Sequence, residues 1–410
     1  MAALEKYLPR CRIFLLDGEK FRTNLFVLFF DLPLKRETAT KTALLAEVLK
    51  KMGGQEAAKQ AEELYGALWD VSVVKKGNRQ LLLFSLETLK TVHTEDALSF
   101  LQERVLGPMT EGTFDEKTVK RQKRILQRKL EGLQDNKRAF AQKRVSEETA
   151  EGTAYAISGD GYIEDLAEIS EKSLFLYYRN ILEKAEVKIF FCGDQAEKPR
   201  ILLLRQEFPG RVAAAEVSAQ EQTKNGPRFL QESAEMEQAR LLMGFSADAE
   251  NSHRQAALRL LNHLLGGSPD SLLFQKIREE RGLCYDVKSY LEPMSPYLFV
   301  QAGIRAEDAK ETGKLVLKSI EQLKKEGVPD EKLEQAKENI LRDYDGMADS
   351  PWAMVDYFAE QVLQGNPLTT EKFLRQIERT DTEDIIRAVN HLELKVVYLL
   401  RGKEEEHGAE

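Results

Sequence analysis

The chain holds few residues that could do chemistry alone, and their spacing is uninformative. His93, His253, His263, His391 and His407 form no His-x-x-x-His pair, the spacing that sets two imidazoles on one helical face around a metal. None has a Cys or His companion at ligand spacing. Cys11, Cys192 and Cys284 are far apart, odd in number and in no CxxC pair, so they are expected to be free thiols in a reducing compartment. Gly266-Gly267-Ser268-Pro269 lacks the Gly-Lys-Ser/Thr ending of a phosphate loop and has no strand before it, so it reads as a helix stop and a Ser-Pro turn. Gly159-Asp160-Gly161 reads as a turn between helices, and no Gly-x-Ser-x-Gly elbow exists. Asp345 and Asp349, four apart near a helix end, read as surface charge, and Trp69, Trp352 and Tyr357 as core.

The elements that must position any site are clearer. The chain has 410 residues, 42% hydrophobic and 31% charged, with a net charge of -8. That composition suits two or three soluble, helix-rich domains. The acidic excess argues against a nucleic-acid partner, whose phosphates need a basic footprint. The longest apolar run near the start is Ile13–Leu16, too short for a signal core, and no stretch approaches the ~18 apolar residues of a membrane span. A cytoplasmic protein is expected. The tail 403–410 is charged and expected to be disordered.

The chain also repeats itself. GALWDV at 66–71 returns as GLCYDV at 282–287. Asp115-Glu116-Lys117, opening a helix through Ile125-Leu126, returns as Asp330-Glu331-Lys332 before Ile340-Leu341. Both aspartates stand where an N-cap belongs. VKIFFCG at 187–193 is echoed by VVYLLRG at 396–402. Three echoes in one order imply two copies of one α+β domain, at 1–204 and 229–402, joined by a polar linker at 205–228. Each copy should open with a strand (Asn24–Leu32, Ala239–Ser246) and a helix (Glu37–Met52, His253–Leu265). A charged helix then leads into a hairpin, turning at KKGN in the first copy, and further helices precede a final strand. A mixed sheet covered by helices is the economical packing.

The stretch LLFQKIREERGLCYDVKSYLEP, residues 272–293, resembles the second-domain signature of the pitrilysin/insulinase family of zinc metallopeptidases, above all its smaller bacterial, mitochondrial processing peptidase-like branch. The resemblance implies two homologous α+β domains closing as a clamshell. It also implies that Arg278 and Tyr285, seven apart, face the substrate. A guanidinium can grip a peptide carbonyl or carboxylate, and a phenol can donate to an oxyanion. The bland alternative pairs Arg278 with a nearby Glu and packs Tyr285 at the hairpin.

Active relatives carry His-x-x-Glu-His on the first long helix, two zinc ligands flanking a general base, and a distant Glu as third ligand. Here the matching segment is Leu44-Leu45-Ala46-Glu47-Val48, with Leu44 and Val48 in the histidine places and Glu47 in the base place. Aligning the following turn on Gln134-Asp135-Asn136-Lys137 puts Lys129 at the third ligand. Leu and Val have no lone pair for zinc, and an ammonium repels it. Neither metal nor cofactor is expected, and Glu47 reads more simply as a helix acid, solvated or paired with a Lys. The resemblance then implies a degenerate, non-catalytic member: a substrate-binding or regulatory subunit of a heterodimer with an active His-x-x-Glu-His paralogue, handling a polypeptide. Some degenerate bacterial members beside an active paralogue are linked to modification of elongation factor P, and the expectation extends to this chain. The alternatives are a stand-alone homodimeric peptide-binding protein and a peptidase using Glu47, Arg278 and Tyr285 without metal.

Overall fold

The structure, a computed structural model, describes residues 7–133, 135–213, 226–249, 251–292, 294–347, 349–365 and 370–403. In chain order the first half runs β1 (Tyr7–Pro9), β2 (Cys11–Asp17), β3 (Thr23–Pro33), α1 (Arg36–Leu49), α2 (Gly54–Glu63), β4 (Leu68–Lys76) and β5 (Arg79–Leu89). Then come α3 (Thr94–Leu106), α4 (Glu116–Gly132), α5 (Lys137–Thr149), α6 (Glu171–Lys184), β6 (Glu186–Gly193), α7 (Lys198–Leu203) and β7 (Arg211–Ala213). The second half runs β8 (Arg228–Ala234), β9 (Ala239–Ser246), α8 (Ser252–Asn262), β10 (Cys284–Leu291) and β11 (Tyr297–Ile304). It closes with α9 (Ala309–Glu326), α10 (Asp330–Met347), α11 (Pro351–Leu363), α12 (Thr370–Arg379), α13 (Thr382–Asn390) and β12 (Glu393–Gly402).

The repeat read from the echoes is a repeat of topology. One five-stranded sheet has the order β2-β6-β3-β5-β4, and the other has β8-β12-β9-β11-β10. Strand for strand these are the same order. In both, the first strand pairs parallel with the last, and every other pairing is antiparallel. This is a two-domain α+β fold with mixed sheets. The KKGN hairpin forms, with Gly77 at φ 61 in the turn. Asp115 accepts from the backbone N–H of Thr118 at 2.8 Å, a true cap on α4.

The central strands explain why two layers of helix are needed. β3 reads TNLFVLFFDLP and is buried along nearly its whole length, so both faces of its sheet must be covered. One face meets α1, α3 and α6 through Phe26, Leu28, Phe30, Leu44, Val48, Leu101 and Tyr178. The other face receives α11, from the second half of the chain. Lys76 on β4, nearly buried, donates to Glu360 of α11 at 2.7 Å and pairs with Asp356 at 2.7 Å. The second sheet is treated the same way by α5, from the first half. Ala141 and Val145 of α5 are buried against Leu242, Phe299, Tyr398 and Leu400, and Gln142 donates to Gln301 at 2.7 Å. Gly244 on β9 permits the approach, because a Cβ there would stand 1.9 Å from Thr149 Oγ1.

The compact units are therefore not the contiguous halves 1–204 and 229–402. One comprises Met1–Glu131, Ile157–Gln220 and Met347–Leu363, the other Gly132–Ala156, Glu221–Gly346 and Gln364–Glu410. The stretch read as a linker, 205–228, begins inside the first unit, where β7 pairs antiparallel with β1. Residues 214–225 of that stretch, and 404–410 of the tail, lie outside the described residues. Gly161, at φ +82, lies so close to α1 that a Cβ would stand 2.6 Å from Thr40 Cα; the Gly159-Asp160-Gly161 turn thus holds the start of α1. Gly266 lies in the π-helical turn His263–Gly267, and a Cβ there would meet Ser289 N of β10 at 2.5 Å.

Candidate functional site

α1 buries one face almost completely. Leu44 is 0% exposed and Val48 1%. They stand four apart, hence on the same face, and that face packs into the apolar core over the sheet. Glu47, one position before Val48, lies at the margin with its side chain 19% exposed. The ammonium of Lys129, on α4, donates to Glu47 Oε1. Residues 82 positions apart, singled out separately in the sequence, thus meet in one ion pair. With Lys129 more than half exposed, the pair contributes about 0–1 kcal/mol. Its chemical meaning outweighs that energy, because it places a fixed positive charge beside the only carboxylate of the segment. Lys50, at the C-terminus of α1, pairs with Asp70 and ties the helix to β4.

This donor set does not fit zinc. Two aliphatic side chains and an ammonium offer no lone pair, and Glu47 is one oxygen ligand already engaged. Among the described residues, no group of three or more His, Cys, Asp or Glu side chains is placed to hold a metal ion. The three cysteines are buried free thiols, and burial pushes each up to about 11.

Sequence spacing hid one juxtaposition of histidines. His253 on α8 and His391 after α13 line a small cleft with Asp248, Asp384, Arg254 and Arg387. His253 Nε2 lies 3.0 Å from Asp384 Oδ1, and His391 Nε2 lies 4.0 Å from Asp248 Oδ2. Arg387 and Arg254 hold the same two carboxylates at 3.1 and 2.5 Å. Among the described residues, both acids of the cleft carry a guanidinium, which makes it hostile to a cation. Asp384 also caps α13, accepting from Asp381 N–H at 3.2 Å. Burial works against its charged form, but the His253 bond and the cap prevail, so its carboxyl lies below the ordinary value.

Arg278 and Tyr285 sit around one sharp turn. Arg278 lies in the π-helical turn Phe274–Glu279, whose end is closed by Gly282 N–H to Arg278 O at 3.1 Å and Leu283 N–H to Ile277 O at 3.0 Å. Gly282, at φ +62, makes the reversal. β10 then starts with a bulge: Cys284 faces Ile304, Asp286 faces Gly303, and Tyr285 has no partner on β11. A bulge re-aims its side chain, and Tyr285 is 65% exposed. The repeat supplies a control. Trp69, at the same place in the first copy, pairs in register with Leu86 and packs edge-on against Phe100 at 5.9 Å. Arg278 is exposed, with its guanidinium 4.8 Å from the Phe274 ring centroid. Among the described residues it makes no ion pair, so the bland alternative, a Glu partner for Arg278 and a packed Tyr285, is not what the turn builds.

Residues 168–340 match the family described as the peptidase M16 inactive domain. A probable inactive metalloprotease, YmfF of Bacillus subtilis, is 25% identical over 407 residues, 94% of each chain. An uncharacterized zinc protease of the same organism, YmxG, is 29% identical over 182 residues, 44% of each chain. Among solved structures, a conserved protein of Enterococcus faecalis superposes with a TM-score of 0.87 at 24% identity, covering 98% of this chain and 99% of its own. A peptidase M16 inactive domain from Pseudomonas fluorescens gives 0.76 at 20% identity, covering 96% and 97%.

Proposed function

We propose that this chain, an inactive homologue of the M16 metallopeptidases, is the substrate-gripping subunit of a heterodimer whose catalytic zinc is carried by an active His-x-x-Glu-His paralogue. The observation that carries the reading is the environment of Glu47. The residue in the general-base position is tied to Lys129, and both histidine positions are filled by apolar side chains buried in the core. In the family's chemistry the carboxylate in this position works on a water that a bound metal has made acidic, and an ammonium from Lys129 takes the place of that metal's partner ligand. The apolar replacements stabilise the fold instead, each by about 1.5–3 kcal/mol of burial.

What remains for ligand contact is the turn that exposes Arg278 and Tyr285. The Arg278 fork suits a peptide carbonyl or a terminal carboxylate. The Tyr285 hydroxyl can donate to a carbonyl oxygen held beside it. Together they would bind and orient an extended polypeptide without cutting it. The link of some degenerate bacterial members to elongation factor P makes that factor the first polypeptide to try. The test is to purify the chain alone and together with a His-x-x-Glu-His paralogue from the same cell, then measure bound zinc and cleavage of a fluorogenic peptide library. The account expects no zinc and no turnover from the chain alone, and chelator-sensitive turnover from the pair that falls when Arg278→Ala is introduced. Chelator-sensitive turnover by the chain alone would overturn it.

A further inference from the structure

α4 carries seven Lys and Arg against two Glu, EKTVKRQKRILQRKLEG, within a chain whose net charge is -8. Four of the seven form one stripe. Lys117, Arg121, Arg124 and Arg128 are spaced four, three and four apart, which on an α-helix confines them to roughly a 60° arc. All four are exposed, opposite the face on which Val119, Gln122 and Leu126 are buried. The acids of the helix are already committed: Glu116 pairs with Lys120 at 2.5 Å, and Glu131 accepts from Gln127 at 2.8 Å. Among the described residues, no carboxylate pairs with the four stripe cations. Like charges three and four apart weaken a helix, so the row has a local cost, offset at Lys117 by the neighbouring carboxylate of Asp115.

The internal repeat shows that the fold does not demand this row. α10 is the matching helix of the second copy, and at the places of Arg121, Arg124 and Arg128 it has Ala336, Asn339 and Asp343. Its composition is reversed, with six acids and three bases. The first copy alone builds the cationic row, on the helix whose Lys129 holds Glu47.

We infer that this stripe is a docking surface for an acidic polypeptide segment, and the inference rests on the reading of the chain as a peptide-gripping subunit. The charge selects the sign of the ligand. Three of the four groups are guanidiniums, whose forks match carboxylates two atoms at a time. The row spans about 16 Å, the reach of roughly five residues of extended peptide. The exposed face of α4 offers no aromatic ring for bases to stack on and no apolar side chain to enter a lipid surface. A carboxylate-rich peptide uses everything the stripe presents.

The test uses the whole chain and three fluorescein-labelled probes of equal length: a Glu/Asp-rich 12-residue peptide, a Lys/Arg-rich peptide and a 12-nucleotide single-stranded DNA. Fluorescence anisotropy is read between 50 and 200 mM salt. Wild type should bind the acidic peptide best, more weakly as salt rises. The triple variant Arg121→Glu/Arg124→Glu/Arg128→Glu should lose at least tenfold in affinity while keeping its melting temperature within about 2 °C. No preference for the acidic peptide, or a triple variant within twofold of wild type, overturns the inference. DNA binding as tight as the acidic peptide and abolished in the triple variant also overturns it, by assigning the surface to nucleic acid. Arg278→Ala, run in parallel, separates the two readings. If it weakens every peptide and the triple variant weakens none, the stripe falls and the grip stands; if the reverse holds, the grip falls and the stripe stands.

Discussion

Replacing Leu44 and Val48 by histidine would set two imidazoles four apart on one face of α1, the spacing of the His-x-x-Glu-His motif. Leu44 is 0% exposed and Val48 1%, so each change removes about 1.5–3 kcal/mol of apolar burial and leaves an imidazole in a core with few partners. A combined loss of about 4–6 kcal/mol in a unit of this size lowers the melting temperature by roughly 10–20 °C. Zinc binding would ordinarily offset such a loss. Here Lys129 stands on Glu47 and presents an ammonium to the incoming metal, so Leu44→His/Val48→His should be destabilised and hold no zinc. Adding Lys129→Glu exchanges that ammonium for a carboxylate, and only this triple variant should take up one zinc per chain, with part of the lost stability recovered on metal addition. Differential scanning calorimetry with and without zinc, beside metal analysis of dialysed protein, reads both effects. Stoichiometric zinc in the double variant would refute the placement of Lys129 as the blocking residue.

Other expectations follow from single contacts. Arg278→Ala removes an exposed side chain whose guanidinium lies over the Phe274 ring, so stability should change by no more than about 0.5 kcal/mol while peptide binding by the complex weakens; a large drop in melting temperature would make Arg278 structural. Gly244→Val should cost about 1–3 kcal/mol by overpacking, because its Cβ collides with Thr149 at the end of α5; an unchanged melting temperature would contradict the close seat of α5 on the second sheet. Asp384 has its carboxyl held below the ordinary value. Its contribution to stability is thus present above the unfolded-state value and is lost as pH falls through the lower folded-state value. Asp384→Asn should flatten the loss of melting temperature as pH falls below the ordinary carboxylate range, and an equally steep loss in that variant would remove Asp384 as its cause.

Much of the fold was legible because a repeat needs no absolute position. The echoes at 66–71 and 282–287, and at 187–193 and 396–402, align β4 with β10 and β6 with β12, and the shared strand order follows. The crossing of α5 and α11 was not legible. Periodicity shows that a helix has an apolar face, as with Ala141 and Val145, but both sheets offer an apolar face to receive it. Of the candidate site, the aliphatic residues at 44 and 48 could be read directly, since a missing lone pair is a property of residue type. The Lys129–Glu47 pair could be reached only through an alignment of the turn at 134–137. The bulge at Tyr285 was invisible, because a one-residue slip between Cys284 and Asp286 leaves no mark in composition. His253 and His391 are 138 positions apart, and only the packing of α8 against α13 brings them to one cleft.

The most direct test of the account is to recover the tagged chain from its own host at native abundance and identify what accompanies it by mass spectrometry, then assay the recovered material for peptide cleavage with and without chelator. The account predicts a His-x-x-Glu-His paralogue in near-equal amount and zinc-dependent cleavage that disappears when the partner is removed. A chain recovered alone that still cleaves peptides in a chelator-sensitive way would contradict it.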